Sequence, residues 1–422
     1  MGRPSGETGV AGRRVSRRRA LSLAAGASLV AATSLAGLAA CSARDDGSAA
    51  DASAPLDATG QDVSGAPDAD PVGDAIAGLS LEQRVCQLFV VRPEDIVDVD
   101  TVVAAGEATR EAILRRPVGG ICYFGRNLED PDQVRGMLAN VESYSQEAVG
   151  LPIIRAVDEE GGTVARVASN PAFGVQDVGD MRDVGAGGDA EVARSVAETI
   201  AGYLADLGFN LDFAPVADVA PAGSVMGRRS FGDDPEAVAS MVAAQVRGFA
   251  DGGVGCCAKH FPGIGYASGD SETEPVSLDG TVEDLASREL VPFAASVAAG
   301  VPMVMVGHLS CPGVTGSDEP ASLSGTVVDD LLRGRLGFTG VSITDSLSMG
   351  AVTAGRTPAE AAVEALEAGQ DLVLMPADFE SALQGVLDAV SSGRIGEGRI
   401  EESLRRVIAL KLSLARSGGA SS

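Results

Sequence analysis

GVGCCAKHF, residues 253–261, is the stretch on which the fold turns. It reads as a strand that is apolar on both faces, the pattern of a parallel sheet covered on both sides. The strand ends in Lys259 and His260, and a Pro-Gly turn follows at Pro262 and Gly263. Runs of the same kind recur from residue 80 onward. They are QLFVV (87–91), GGICYF (119–124), PIIRAVD (152–158), FNLDFAPVA (209–217), PMVMVGH (302–308), GVSITDS (340–346) and DLVLMP (371–376). Between them lie helical patterns such as DAEVARSVAETIAGYLADLG and DPEAVASMVAAQVRGFADGG, apolar at helical spacing and closed by glycine. Eight strand-plus-helix units over about 340 residues predict an α/β fold, a single (β/α)8 TIM-type barrel. No GxGxxG loop opens a helix after the first strand, which removes the main support for a dinucleotide-binding sheet.

Composition narrows the function. The chain has 422 residues, 45% of them hydrophobic, no Trp and a formal charge of −27. That acidity speaks against nucleic-acid binding, which calls for a basic face. The N-terminus has a separate character. GRRVSRRRALS supplies a basic region, an apolar run follows to about Ala40, and LAAC ends at Cys41. Small residues followed by Cys resemble a bacterial lipobox, so residues 1–40 are expected to be a signal peptide and Cys41 the lipidated mature N-terminus. The arginine run resembles a twin-arginine export signal, and Sec export remains open. Residues 41–72, rich in Ala, Ser, Asp, Gly and Pro, read as an acidic tether, leaving 73–422 as the barrel domain. The expected location is therefore extracytoplasmic and lipid-anchored to the membrane. Cys86, Cys122, Cys256, Cys257 and Cys311 remain, an odd number without metal-ligand spacing, and read as buried free thiols.

A barrel of this kind places its chemistry at the C-terminal ends of the strands. Those ends carry Arg126 and Asn127, Asp158 to Glu160, Asp218, Lys259 and His260, His308 and Asp345. Four segments stand out: DEEGGTVAR after the third strand, MGRRSFGDDP after the fourth, KHFPGIG after the fifth and ITDSLSMGAV after the seventh. Carboxylates and cations around one pocket suit a neutral polyhydroxylated ligand, whose hydroxyls both donate and accept. Glu159 and Glu160 read as structural or solvated rather than catalytic. His308 reads equally as pocket wall, core residue or ligand contact.

The four segments resemble the single-domain β-N-acetylhexosaminidase branch of glycoside hydrolase family 3. Its members carry DxEGGxVxR, GxRSFGxDP, KHFPGxG and ITDxLxM in this order. The similarity runs from LEQRVCQLF near residue 81 to about residue 410. The resemblance implies a retaining mechanism in which Asp345 attacks the anomeric carbon. It also implies sugar-binding roles for Asp158, Arg166, Arg229, Lys259 and His260. The implied substrate is a carbohydrate with terminal N-acetylglucosamine, often a cell-wall fragment, and no cofactor or metal is implied. Little chain follows the eighth unit, so the second domain of larger members is not expected.

One departure matters. The branch usually reads Asp-Ser-His after KHFPG, with that His as acid/base, and here the same spacing holds Asp270-Ser271-Glu272. A carboxylic acid can do this job, since most retaining glycosidases use one held about 5–5.5 Å from the nucleophile. Asp270 beside it would raise its proton affinity. Glu274 is a second candidate. Three readings therefore stand: a β-N-acetylglucosaminidase with Glu272 and Asp270 as its acid/base pair, another family 3 β-glycosidase, or a catalytically impaired sugar-binding lipoprotein.

Overall fold

The strands β1 (Phe89–Val91), β2 (Gly120–Tyr123), β3 (Ile154–Val157), β4 (Leu211–Asp212), β5 (Gly255–Phe261), β6 (Met303–Val306), β7 (Val341–Ser346) and β8 (Leu372–Leu374) arise from the eight apolar runs. They pair in parallel in chain order, and β8 closes on β1 through Phe89 opposite Val373. This computed structural model describes residues 70–97, 99–267, 269, 271 and 273–419. Cys41 and the rest of residues 1–69, together with Asp270 and Glu272, lie outside the described residues.

Strand β4 is shorter than the run that predicts it because Pro215 has no N–H to give to the ladder. Backbone bonds to β5 flank Pro215: the Cys257 N–H donates to Ala214 O at 2.7 Å before it and the Ala217 N–H to Lys259 O at 2.6 Å after it. The strand ends on that side are thus irregular, and they are where the polar side chains gather.

The helices start and stop where local chemistry says they should. Asp130 accepts from the Asp132 and Gln133 N–H groups at 3.0 Å and precedes Pro131, the first residue of the helix Pro131–Val149. Asp234 caps Pro235–Asp251 in the same way. An aspartate before a first-turn proline satisfies orphan donors with a residue whose φ is already helical. Gly150 and Gly208 end their helices in the left-handed region, at φ 66° and 96°. Val134, Met137, Leu138 and Val141 form the buried stripe of Pro131–Val149, the spacing of one helical face.

The first helix, Pro71–Ala77, begins inside the stretch read as tether, so the ordered domain starts slightly earlier than the composition suggests. Asp70 caps it and pairs with Arg405 of the last helix at 3.0 Å, which draws residues 70–72 onto the barrel. Cys86, Cys122, Cys256, Cys257 and Cys311 are all buried and free. Among the described residues no helix is long and apolar enough to cross a membrane.

Candidate active site

The site begins with the turn after β3. Gly161 and Gly162 stand at φ 96° and 56°, a conformation L side chains rarely adopt. A Cβ on Gly162 would also lie 2.2 Å from Asp180 Oδ1. The turn sends the chain back on itself, and Glu159 fastens it. Its carboxylate accepts from the Val167 and Ala168 N–H groups at 2.8 Å, from the Arg166 N–H, and from the Tyr203 hydroxyl at 2.9 Å. Arg166 is thereby returned to the pocket, its guanidinium carbon 5.8 Å from the Phe124 ring centroid and its buried Nε without a partner.

Next to this turn is a network of buried charges. Lys259 Nζ lies 2.7 Å from both Asp158 Oδ1 and Glu160 Oε1. Arg229 closes on Glu160 with two bonds, Nε to Oε2 at 2.8 Å and Nη2 to Oε1 at 2.6 Å. Burial pushes the Glu160 carboxyl up, but the Lys259 and Arg229 cations outweigh it and hold it at about 2. Burial likewise pulls the Lys259 ammonium down, and Asp158 and Glu160 overcome it, leaving Lys259 above its ordinary value. Every member of the cluster is charged and paired, so the array is rigid and its donors are preset.

Around it stand the two histidines. Asp218 accepts from His260 Nδ1 at 2.8 Å, and its second oxygen accepts from the Ile264 N–H at 2.8 Å. His308 lies between Ser322 Oγ, 2.7 Å from Nδ1, and the Ser346 carbonyl, 2.9 Å from Nε2. Burial pushes its imidazole down, further than Asp345 and the Ser346 carbonyl raise it. Asp345 ends β7, one oxygen accepting from the Ser346 N–H at 2.7 Å. Burial raises its carboxyl, but His260, His308, the Ser346 N–H and Lys259 together outweigh burial and hold it below its ordinary value. It is an ionised carboxylate in a polar cage.

One cavity of about 440 Å³ joins these groups. Asp158, Arg166, Arg229, Lys259, His260 and Asp345, six positions named from the sequence, all line it. So does Ser271, which lies between Asp270 and Glu272. Glu274 is exposed and does not line the cavity. Sequence reasoning set Glu160 aside as structural or solvated, yet it lines the same cavity, and Arg92, which also lines it, was not named. It noted Arg126 and Asp218 only as strand-end residues. Glu159 and Glu160 are not solvated, with 0% and 3% exposure. For Glu159 the structural reading fits the geometry. For Glu160 the available signal was its place between Asp158 and the Gly-Gly turn. His308 is a buried residue engaged at both nitrogens. Among the described residues no cluster of three or more His, Cys, Asp or Glu is arranged to hold a metal ion.

An ionised carboxylate beside fixed donors and acceptors in a sugar-sized cavity is equipped for attack at an electrophilic carbon flanked by hydroxyls. Known proteins resemble the chain over most of its described residues. The glycosyl hydrolase family 3 N terminal domain matches residues 80–410. The chain is 33% identical over 334 residues to beta-hexosaminidase A of Pseudoalteromonas piscicida, covering 73% of this chain and 55% of that protein. It is 35% identical over 356 residues to beta-hexosaminidase LpqI of Mycobacterium tuberculosis, covering 81% and 85% respectively. The solved family 3 beta-N-acetylglucosaminidase from a Paenibacillus species superposes with a TM-score of 0.74 at 40% identity, covering 80% of this chain and 63% of that one. The chain therefore spans about half of one relative and most of another. With the barrel, the cavity and a match over nearly all the described residues, the chain belongs to glycosyl hydrolase family 3.

Proposed function

We propose that the chain is a retaining exo-β-N-acetylhexosaminidase that removes terminal N-acetylglucosamine from cell-wall or other glycan fragments. The observation that carries this reading is the placement of Asp345, half-buried and held below its ordinary value, in one cavity with the Asp158–Lys259–Glu160–Arg229 array. Relatives named beta-hexosaminidase support the substrate class.

In the first step the Asp345 carboxylate attacks the anomeric carbon as the bond to the leaving oxygen breaks, and Glu272 gives that oxygen its proton. In the second step Glu272, now a carboxylate, takes a proton from water. The water oxygen attacks the anomeric carbon and Asp345 leaves unchanged. The assignment of Glu272 rests on its place in Asp270-Ser271-Glu272, where relatives of this branch carry His, and is supported by Ser271 lining the cavity. Asp270 is assigned the raising of its proton affinity. Asp158, Arg166, Arg229, Lys259 and His260 are assigned to sugar hydroxyls.

The test is hydrolysis of p-nitrophenyl N-acetyl-β-glucosaminide against the plain β-glucoside. Preference for the N-acetyl sugar supports the reading. Preference for the glucoside makes this another family 3 β-glycosidase. Binding of N-acetylglucosamine without turnover of either makes it a sugar-binding protein, the alternative raised by Glu at the position of the branch's His.

We further propose export and lipid anchoring through Cys41, on the sequence pattern alone. Two or more acyl chains hold a protein at a membrane where one is marginal. Cys41→Ser should release or mislocalise the domain with catalysis unchanged. Recovery of the wild-type chain in the cytosol refutes the anchor.

A further inference from the structure

The chain contains two histidines in all 422 residues, and both stand at this site. Their partners differ in a way that determines where each proton sits. Asp218 can only accept, being a carboxylate that already receives the Ile264 N–H, so the 2.8 Å contact requires a proton on His260 Nδ1. The Ser346 carbonyl can also only accept, so the 2.9 Å contact requires a proton on His308 Nε2. His308 Nδ1 then receives the Ser322 hydroxyl at 2.7 Å, and the ring is satisfied at both ends. His260 differs. Its ring lines the cavity, and among the described residues no protein group bonds its Nε2.

We infer that Asp218 is a positioning residue. It locks His260 in the Nδ1–H tautomer, opposite to that of His308, so that Nε2, unbonded among the described residues, is left as an acceptor at the cavity. The inference rests on the glycosidase reading only for what occupies the cavity. Of the polar groups described above, Lys259, Arg229 and Arg166 can only donate, while Asp158, Glu160 and Asp345 accept as carboxylates, the first two already engaged by cations, so Nε2 is the neutral acceptor among them. An acceptor held by Asp218 therefore selects a ligand that presents a hydroxyl proton at this place. A fluorine there can accept weakly but cannot donate, so it should be rejected as firmly as hydrogen. Which nitrogen of a histidine carries the proton is decided by the partner of the other one, and here that partner comes from the irregular segment after β4.

Having two histidines makes the test clean. Tag-free full-length protein is labelled with ¹⁵N-histidine, and its ring nitrogens are correlated with ring protons above neutral pH. One Nδ1–H ring and one Nε2–H ring are expected, and Asp218→Asn should move the resonances of the Nδ1–H ring. Two rings of the same tautomer, a doubly protonated ring, or a response confined to the Nε2–H ring overturns the inference. The wild-type spectrum needs neither turnover nor a folded variant, so it stands or falls separately from the proposed function. In kinetics, Asp218→Ala should raise KM for the aryl N-acetyl-glucosaminide by about tenfold, the scale of one hydrogen bond. Asp218→Asn has one oxygen for the two donors, Ile264 N–H and His260 Nδ1–H, and an amide N–H facing Nδ1 favours the opposite tautomer, so it should recover little of that loss. With each ring hydroxyl replaced in turn by hydrogen or fluorine, one position should show equal penalties for both, and Asp218→Ala should erase them. A fluoro analogue that binds like the parent at every position, or an Asp218→Ala variant that keeps the wild-type penalties for every analogue, would show that Asp218 does not act through His260.

Discussion

Arg229 and Glu160 meet through two parallel bonds, Nε to Oε2 at 2.8 Å and Nη2 to Oε1 at 2.6 Å, and Glu160 also holds Lys259 at 2.7 Å. One carboxylate pairs with two cations that line the cavity. Glu160→Gln leaves Lys259 with Asp158 and takes away the carboxylate paired with Arg229. Removing one partner of a buried pair costs roughly 3–5 kcal/mol, and a loss of that order is expected in denaturant unfolding together with a higher KM. Glu160 is held at about 2 in the folded chain, below its ordinary 4.5. Its contribution is therefore complete above pH 4.5 and lost as pH falls toward 2. The variant should lack that part of the acid dependence. A variant as stable as wild type would show that the pair does not support the fold.

Asp345→Asn should abolish turnover and leave the unfolding midpoint nearly unchanged. The only described bond to its carboxylate comes from the adjacent Ser346 N–H, which an amide oxygen can also accept. A slow fluorosugar should label Asp345 covalently in the wild type, read by mass spectrometry of peptides. A label on another carboxylate moves the nucleophile.

Glu272→Gln should slow substrates with poor leaving groups by the 10²–10⁴-fold usual for a general acid, and activated aryl glycosides less. Added azide should restore part of the turnover. Because Glu274 is exposed and away from the cavity, Glu274→Gln should leave rates within about twofold. The opposite ranking would transfer the role to Glu274.

Lys411 provides a pH test remote from the site. Its ammonium is fully buried and donates to Gln87 Oε1, and burial drives it down to about 7 from 10.5. The unfolded chain therefore binds one more proton than the folded chain between those values, and stability should rise as pH increases from 7 to 10.5. A tenfold change in proton affinity between the two states corresponds to about 1.4 kcal/mol. Urea unfolding at pH 7 and pH 10 should show this rise in the wild type, with Lys411→Met reducing it. An identical pH dependence in both proteins would place the titration elsewhere.

The barrel was legible in the sequence because its causes are local. Strands apolar on both faces, Asp-Pro helix starts and terminal glycines need no distant partner, and polar residues at strand ends follow from the barrel rule. Asp158, Lys259, His260 and Asp345 could be named that way, and Arg166 and Arg229 through the resemblance to the family's motifs. The division of labour among them could not. Glu159 and Glu160 are the same residue type, adjacent in the chain and both buried, yet one ties a loop together through backbone N–H groups and the other bridges Lys259 and Arg229. Likewise, His260 and His308 carry their protons on opposite nitrogens because one meets Asp218 and the other the Ser346 carbonyl. Those partners are 42 and 38 residues away in the chain. Composition and spacing determined that charges would gather at one end of the barrel. Which charge meets which, and so which group stays ionised and which nitrogen stays bare, depended on approaches under 3 Å that tertiary packing alone creates.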